Sequence, residues 1–284
     1  MDINAIKERL QNLNRRSNKA NDVWKPKGDH DIRCLPYPHG GDPMIDLHFH
    51  YEIGESTTIL CPKSNFGDDC AVCDFCDVLK SWKGPDGQDK PENERKADFE
   101  IFKKIQPKAR VFIPMVERGK EADGAKYWGV TPNQAGQILN VCTDGDRLSE
   151  LGIDRDDAAK ALDVIFSPTK AYDLKVSFRK PGEKGNTKTF PVVEIEGKIK
   201  ATPVSKDKKE AEAILASVKN IKEVYPPMSS TEVKRMLDRW TGNQSVEAKA
   251  DGATEKYETK SKESANKKGG RSIDEAFCDM VEEA

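Results

Sequence analysis

The chain is poor in apolar residues for its length. Of 284 residues, 36% are hydrophobic and 34% charged, which excludes one core that packs the whole chain and calls for segments outside it. Residues 1–20 hold no apolar h-region, and no run approaches transmembrane length, so the reading expects neither a signal peptide nor a membrane span. It therefore expects a reducing cytoplasm, where clustered cysteines favour metal over disulfides. There is no Walker A loop, no GxGxxG after a strand, no nucleophile elbow and no HExxH. A complete catalytic set is thus missing, and the expectation is a protein that is not an enzyme. The net charge of −2 excludes no partner class, because local segregation of charge matters more than the sum.

The scarce residues are concentrated. The chain has seven cysteines and four histidines. Four of the cysteines, Cys61, Cys70, Cys73 and Cys76, fall in CPKSNFGDDCAVCDFC, just after His48 and His50 in LHFHYE. A structural zinc needs four N/S ligands at tetrahedral corners, one pair usually on a Cys-x-x-Cys turn. Cys70-Ala-Val-Cys73 is that turn, and His48 or His50 with Cys61 completes the set. Cys76 is an extra thiol that offers an all-cysteine alternative. His50-Tyr51-Glu52 matches the HxE of zinc deaminases, but Asp69 stands where their PCxxC needs proline, so the match is read as chance. Cys34, Cys142 and Cys278 are isolated.

Along the chain, Ile3, Ile6, Leu10 and Leu13 predict a short amphipathic helix over 3–13, followed by the basic arm NRRSNKAND. Strands are expected at 32–35, 45–51, 110–116, 171–179 and 187–195, the last two as a hairpin. Thr131-Pro132 opens a helix through Leu139, Asp154 caps a second, residues 207–221 form a third, and the capping box of Ser229 and Glu232 starts a fourth. This composition predicts a mainly β fold with helical insertions: a partly open, OB-fold-like barrel with a small zinc-binding subdomain. Residues 1–22 form the N-terminal helix and arm. Residues 23–240 form the core, with the zinc subdomain at about 48–80. Residues 241–271 read as a disordered linker. Residues 272–284 form an acidic tip that carries Phe277, Met280 and Val281 as apolar anchors for docking a partner.

Charge is segregated. Residues 95–118 hold seven basic and three acidic residues, and 170–209 hold eleven and five. Aromatics lie in or near both, Tyr127 and Trp128 included. Lysines that track phosphates beside ring faces for base stacking are the parts of a single-strand groove. The reading places Lys103, Lys104, Lys108, Arg110, Lys175 and Arg179 on that groove, with Tyr127 and Trp128 as its aromatics. The rival expectation is a zinc-ribbon interaction or transcription factor that binds a protein partner or duplex DNA. A duplex reader would present a basic recognition helix, whereas the basic segments here read as strands and loops.

The order of these features resembles the single-stranded DNA-binding, helix-destabilising protein of T-even-type bacteriophages. Ile32-Arg33-Cys34-Leu35-Pro36 resembles that family's IRFLP strand, and FKKIQPKARVFIPM its central basic stretch. His50, Cys61, Cys70 and Cys73 resemble its zinc ligands in type and order. Arg15-Arg16-Ser17 resembles the basic-plus-hydroxyl motif of its N-terminal arm. The sequence departs from the family where Ala109 and Arg110 replace the aromatics after the basic motif. The resemblance implies an OB-fold core with one structural Zn2+ and sequence-tolerant, cooperative coating of single-stranded DNA in replication, recombination and repair. It also implies self-association through Arg15, Arg16 and Ser17, and recruitment of replication and recombination proteins by the acidic tail, in a host-cell cytoplasm.

Overall fold

KARVFIPMVE holds the strand formers Val111, Phe112, Ile113 and Val116 in a ten-residue run, and it becomes the strand around which the others assemble. A computed structural model describes residues 22–53, 58–154 and 156–242. The N-terminal arm, the linker beyond residue 242 and the acidic tip lie outside the described residues. So do Arg15, Arg16, Ser17, Phe277, Met280 and Val281.

The fold is mixed α/β. Its strands are β1 (Val23–Trp24), β2 (Asp29–Cys34), β3 (Ile45–His50), β4 (Ile59–Leu60), β5 (Lys108–Glu117), β6 (Lys126–Val130), β7 (Ala171–Arg179) and β8 (Val192–Thr202). They form one eight-stranded sheet of order β1-β6-β5-β2-β7-β8, with β3 on β5 and β4 on β3. The sheet does not close. Its length along β5 explains the layout. Residues 108–112 pair with β3, 111–115 with β6, and 115–117 with β2.

The pleat sends alternate side chains to opposite faces. Val111, Ile113, Met115 and Trp128 enter one apolar cluster, with Trp24, Ile32, Leu174 and Val176. Helices α4 (Pro132–Cys142), α5 (Gly145–Leu151), α6 (Ala158–Ala161) and α7 (Asp163–Phe166) follow β6. Ile138, Cys142, Leu148 and Phe166 from three of them close that cluster. Phe112, Tyr127, Phe49 and Val116 enter a second cluster, with residues of α8 (Lys208–Ala216) and α9 (Ile221–Val224).

Several expected elements are shifted, each for a local reason. The 187–195 strand starts later, at Val192, because the buried Asn186 donates to the carbonyls of Arg179 and Phe190 and holds 180–190 as a loop. The 207–221 helix is broken in two. Asn220 caps α9 by accepting from Lys222 N–H, which ends the run. Asp157, not Asp154, caps α6. The Thr131–Gln134 and Ser229–Glu232 capping boxes both form.

Candidate metal centre and its aromatic ridge

Four short segments deliver one donor atom each. His50 ends β3. Cys61 follows β4 and caps α1 (Pro62–Phe66), with its sulfur 3.4 Å from Ser64 N. Cys70 caps α2 (Ala71–Lys80), and Cys73 lies in that helix's first turn. The four donor atoms lie within 4.8 Å of one another, and all four residues are buried. His50 Nε2 is 3.4 Å from Cys70 Sγ and 3.6 Å from Cys73 Sγ, and Cys61 Sγ is 3.4 Å from Cys73 Sγ. Bonds of about 2.3 Å to sulfur and about 2.0 Å to nitrogen put tetrahedral corners roughly 3.5–3.8 Å apart, so the donors stand where a cation would hold them. The buried four-donor cluster is a candidate site for a structural metal.

Outer contacts orient the ligands. His50 Nδ1 is 2.7 Å from Ile105 O, which leaves Nε2 to face the thiols. Asn65 donates to the carbonyls of His48 and Cys61 and accepts from His48 N–H, fastening α1 to β3. His48 and Cys76 are outside the four-donor cluster. Cys76 is buried one turn beyond Cys73, and burial pushes its thiol up to about 11. The clustered donors shift one another. Hydrogen bonds to Cys70 and Cys73 hold the Cys61 thiol far below its ordinary range, and the same kind of contacts push Cys73 up. Burial lowers the His50 pKa, but hydrogen bonds with Cys61, Cys70 and Ile105 outweigh it and raise it to about 9.

The centre anchors a helical lobe. Its apolar cluster draws on Cys61, Cys70, Cys73, Cys76 and Leu79. It also includes Phe102 and Ile105 of α3 (Glu92–Ile105) and Val233 and Leu237 of α10 (Ser230–Thr241). On the outside of this lobe runs a ridge of rings and cations. Trp82 is 70% exposed and Phe99 53%. The Arg95 guanidinium sits 5.2 Å from the Trp82 ring and Lys103 Nζ 5.2 Å from the Phe99 ring. Arg95, Phe99 and Lys103 recur every four residues and so share one stripe of α3. The Trp82 loop is pinned from beneath. Lys90 N–H donates to Trp82 O, while its buried ammonium donates to Asp98 of α3 and to Val78 O. The indole stands in water on this braced loop.

The residues expected on a groove divide into groups. Lys103 and Lys104 are exposed on the last turn of α3, a helix and not the strand or loop expected from their segment. Their charges offset the negative helix end there. Lys108 is half-buried, and Arg110 is buried beside the Tyr51 hydroxyl. Lys175 and Arg179 are not brought to this group. Asp31 pairs with Lys175 across β2, beyond the Ile32–Glu117 pair, so Lys175 stands at the far end of β5 from Lys108. Nine strand steps at about 3.3 Å separate those ends by roughly 30 Å. Arg179 donates to Asp29 at 2.6 Å.

Tyr127 and Trp128 are not groove aromatics. They are 3% and 2% exposed and anchor opposite faces of the sheet. The Tyr127 hydroxyl donates to Lys219 O at 2.6 Å, and Trp128 packs edge-on against Trp24 at 5.6 Å. Strand periodicity was the available signal: consecutive aromatics in a two-sided strand each face a core. Trp82 carried no such signal, because it sits alone in a polar loop.

No protein-family model and no curated protein matches this chain. No helix among the described residues is long and apolar enough to cross a membrane.

Proposed function

We propose that this protein is a non-catalytic, sequence-tolerant binder of single-stranded DNA that coats strands during replication, recombination and repair. The observation that carries it is the ridge of Trp82, Arg95, Phe99 and Lys103 on the metal-anchored lobe. Exposed rings offer faces on which any base stacks, and cations beside them meet any phosphate. The metal is a single zinc, since three thiols and one imidazole in a closed set suit it better than harder ions. The open sheet serves as an OB-like body that carries the lobe. In this reading His50 is tied to α3 through Ile105, so the metal holds the ridge in register.

Titration with labelled oligo(dT), against duplex of equal length at two salt concentrations, tests the reading. Single strands should bind more tightly, quench Trp82 fluorescence and lose affinity as salt rises. Duplex bound as tightly as oligo(dT) would instead favour a zinc-ribbon factor. The acidic tip at 272–284, with Phe277, Met280 and Val281, is the proposed dock for replication proteins and a competitor for the basic surface. Truncation after Gly270 should tighten DNA binding at low salt and abolish that docking. Unchanged DNA affinity would remove the competition.

A further inference from the structure

β8 ends the strand order, and no strand among the described residues pairs with its outer edge. Backbone groups along a strand alternate in direction. Phe178 N–H donates to Gly28 O, so the even residues of β7 turn to β2 and the odd ones to β8. Lys175 and Ser177 therefore bond to Glu196 and Glu194, while the N–H and C=O groups of Val193, Ile195 and Gly197 point to the free edge. Arg147 agrees with that direction: it donates to Gly197 O at 3.1 Å, which leaves the oxygen a second lone pair. Beyond Gly197, residues 198–200 stand opposite Asp173 alone, which adds two residues to β8 and keeps its alternation in step. Ile199 lies in that bulge and is 89% exposed, the most of any large apolar side chain among the described residues.

The sequence of this edge, VVEIEGKIKAT, is its own complement. Turned antiparallel about Gly197, Glu194 meets Lys200 and Glu196 meets Lys198, while Ile195 falls opposite Ile199 and Val193 opposite Ala201. The parity agrees, because a register centred on Gly197 pairs the residues whose backbone groups point outward. Val193, Ile195 and Ala201 pack against the apolar cluster under α4, α5 and α7, so Ile199 of one copy would extend that layer over Ile195 of the other. We propose that β8 docks on β8 of a second copy, joining two sheets about a two-fold axis at Gly197. Charges on an edge strand turn most strands away. Here their order rejects strands of like charge and admits its own reverse. Lys198 also bonds Asp31 of β2, so the outer pair, Glu194 with Lys200, is the cleaner probe. The contact is closed by its symmetry and uses none of residues 1–20.

Sedimentation of the full chain without DNA tests this apart from the single-strand reading. Wild type should form dimers as concentration rises. Glu194→Lys and Lys200→Glu should each weaken the dimer by about tenfold or more, since each sets like charges opposite one another at both ends of the contact. An equimolar mixture of the two variants should restore it, because every such pair then has opposite signs. Both side chains are exposed, so the circular dichroism should not change. Residue-resolved amide exchange should slow at Val193, Ile195, Gly197, Ile199 and Ala201 as the dimer fills, while Glu194 and Glu196, already bonded to β7, should keep their rates. Three results would overturn the proposal: a wild type monomeric at every concentration, association indifferent to both variants, or a mixture as weak as its components. If the dimer forms as expected while oligo(dT) fails to bind, the pairing stands and the single-strand reading falls.

Discussion

Two guanidinium groups share the carboxylate of Asp173. Arg33, fully buried in β2, reaches it at 2.8 Å, and Arg118 at 3.0–3.2 Å. Arg33 also donates to Thr202 O and Oγ1 at 2.6 Å, and Arg118 to Pro203 O at 2.9 Å. Burial lowers the Arg33 pKa, and Asp173 opposes that shift. The carboxylate therefore matters more than an ordinary surface pair. Asp173→Asn should destabilise the protein by about 3–5 kcal/mol, because it leaves buried charge uncompensated. Urea unfolding measures this, and a loss below about 1 kcal/mol would show the guanidiniums to be satisfied without it. At the metal centre, Cys73→Ser should lose the metal and lower Tm, while Cys76→Ser should do neither. Metal content and thermal unfolding check both. Loss of metal in Cys76→Ser would move the site to another donor set. Ligand type and order were legible in the sequence. The choice of His50 over His48 needed the fold, because two residues of spacing along a strand leave both on one face.

At the scale of elements, α3 decides the functional reading, and sequence reasoning did not mark it as a helix. Most of it, 95–105, belongs to the basic stretch 95–118, whose charge draws the eye from its helical signals. The signals were present: Glu92 and Glu94 in the first turn, Lys103 and Lys104 in the last, and Phe102 and Ile105 three apart on a buried face. Arg95, Phe99 and Lys103 border that face, with the Phe99 ring 6.0 Å from Phe102, and Phe99 and Lys103 reach water. Trp82→Ala and Phe99→Ala should each weaken oligo(dT) binding by about 1–3 kcal/mol with little change in salt slope, as expected for stacking. Lys104→Ala should instead flatten the log–log slope by about 0.7. Fluorescence titration across a salt series separates the two. Equal effects of all three on slope alone would remove stacking from the ridge. The β7–β8 hairpin was legible from its alternation. The late start of β8 was not, since it depends on Asn186 being buried.

At the scale of the molecule, three apolar clusters divide the work. Two lie on either face of the sheet, and the third surrounds the metal centre. Chelation should therefore loosen the lobe before the sheet. Metal-free protein is expected to lose oligo(dT) affinity by tenfold or more while Trp24 and Trp128 keep their near-ultraviolet signal. Limited proteolysis should then cut within 81–91 first. Simultaneous loss of both signals would show a single cooperative unit.

The sequence by itself determined what depends on neighbours along the chain. The capping boxes at Thr131 and Ser229, the alternating strands at 110–116 and 171–179 and the Cys-x-x-Cys turn are local chemistry, and each is found where it was expected. The tertiary structure alone decided what depends on residues far apart. It turned Tyr127 and Trp128 into core, because β6 is covered on both faces. It separated Lys175 and Arg179 from Lys103 and Lys104, because β2 sets the register between β5 and β7. It also exposed Trp82, because the loop that carries it is braced from beneath by Lys90, which bonds Trp82 O, Val78 O and Asp98. Burial and register are sums over distant contacts, and no window of sequence contains them.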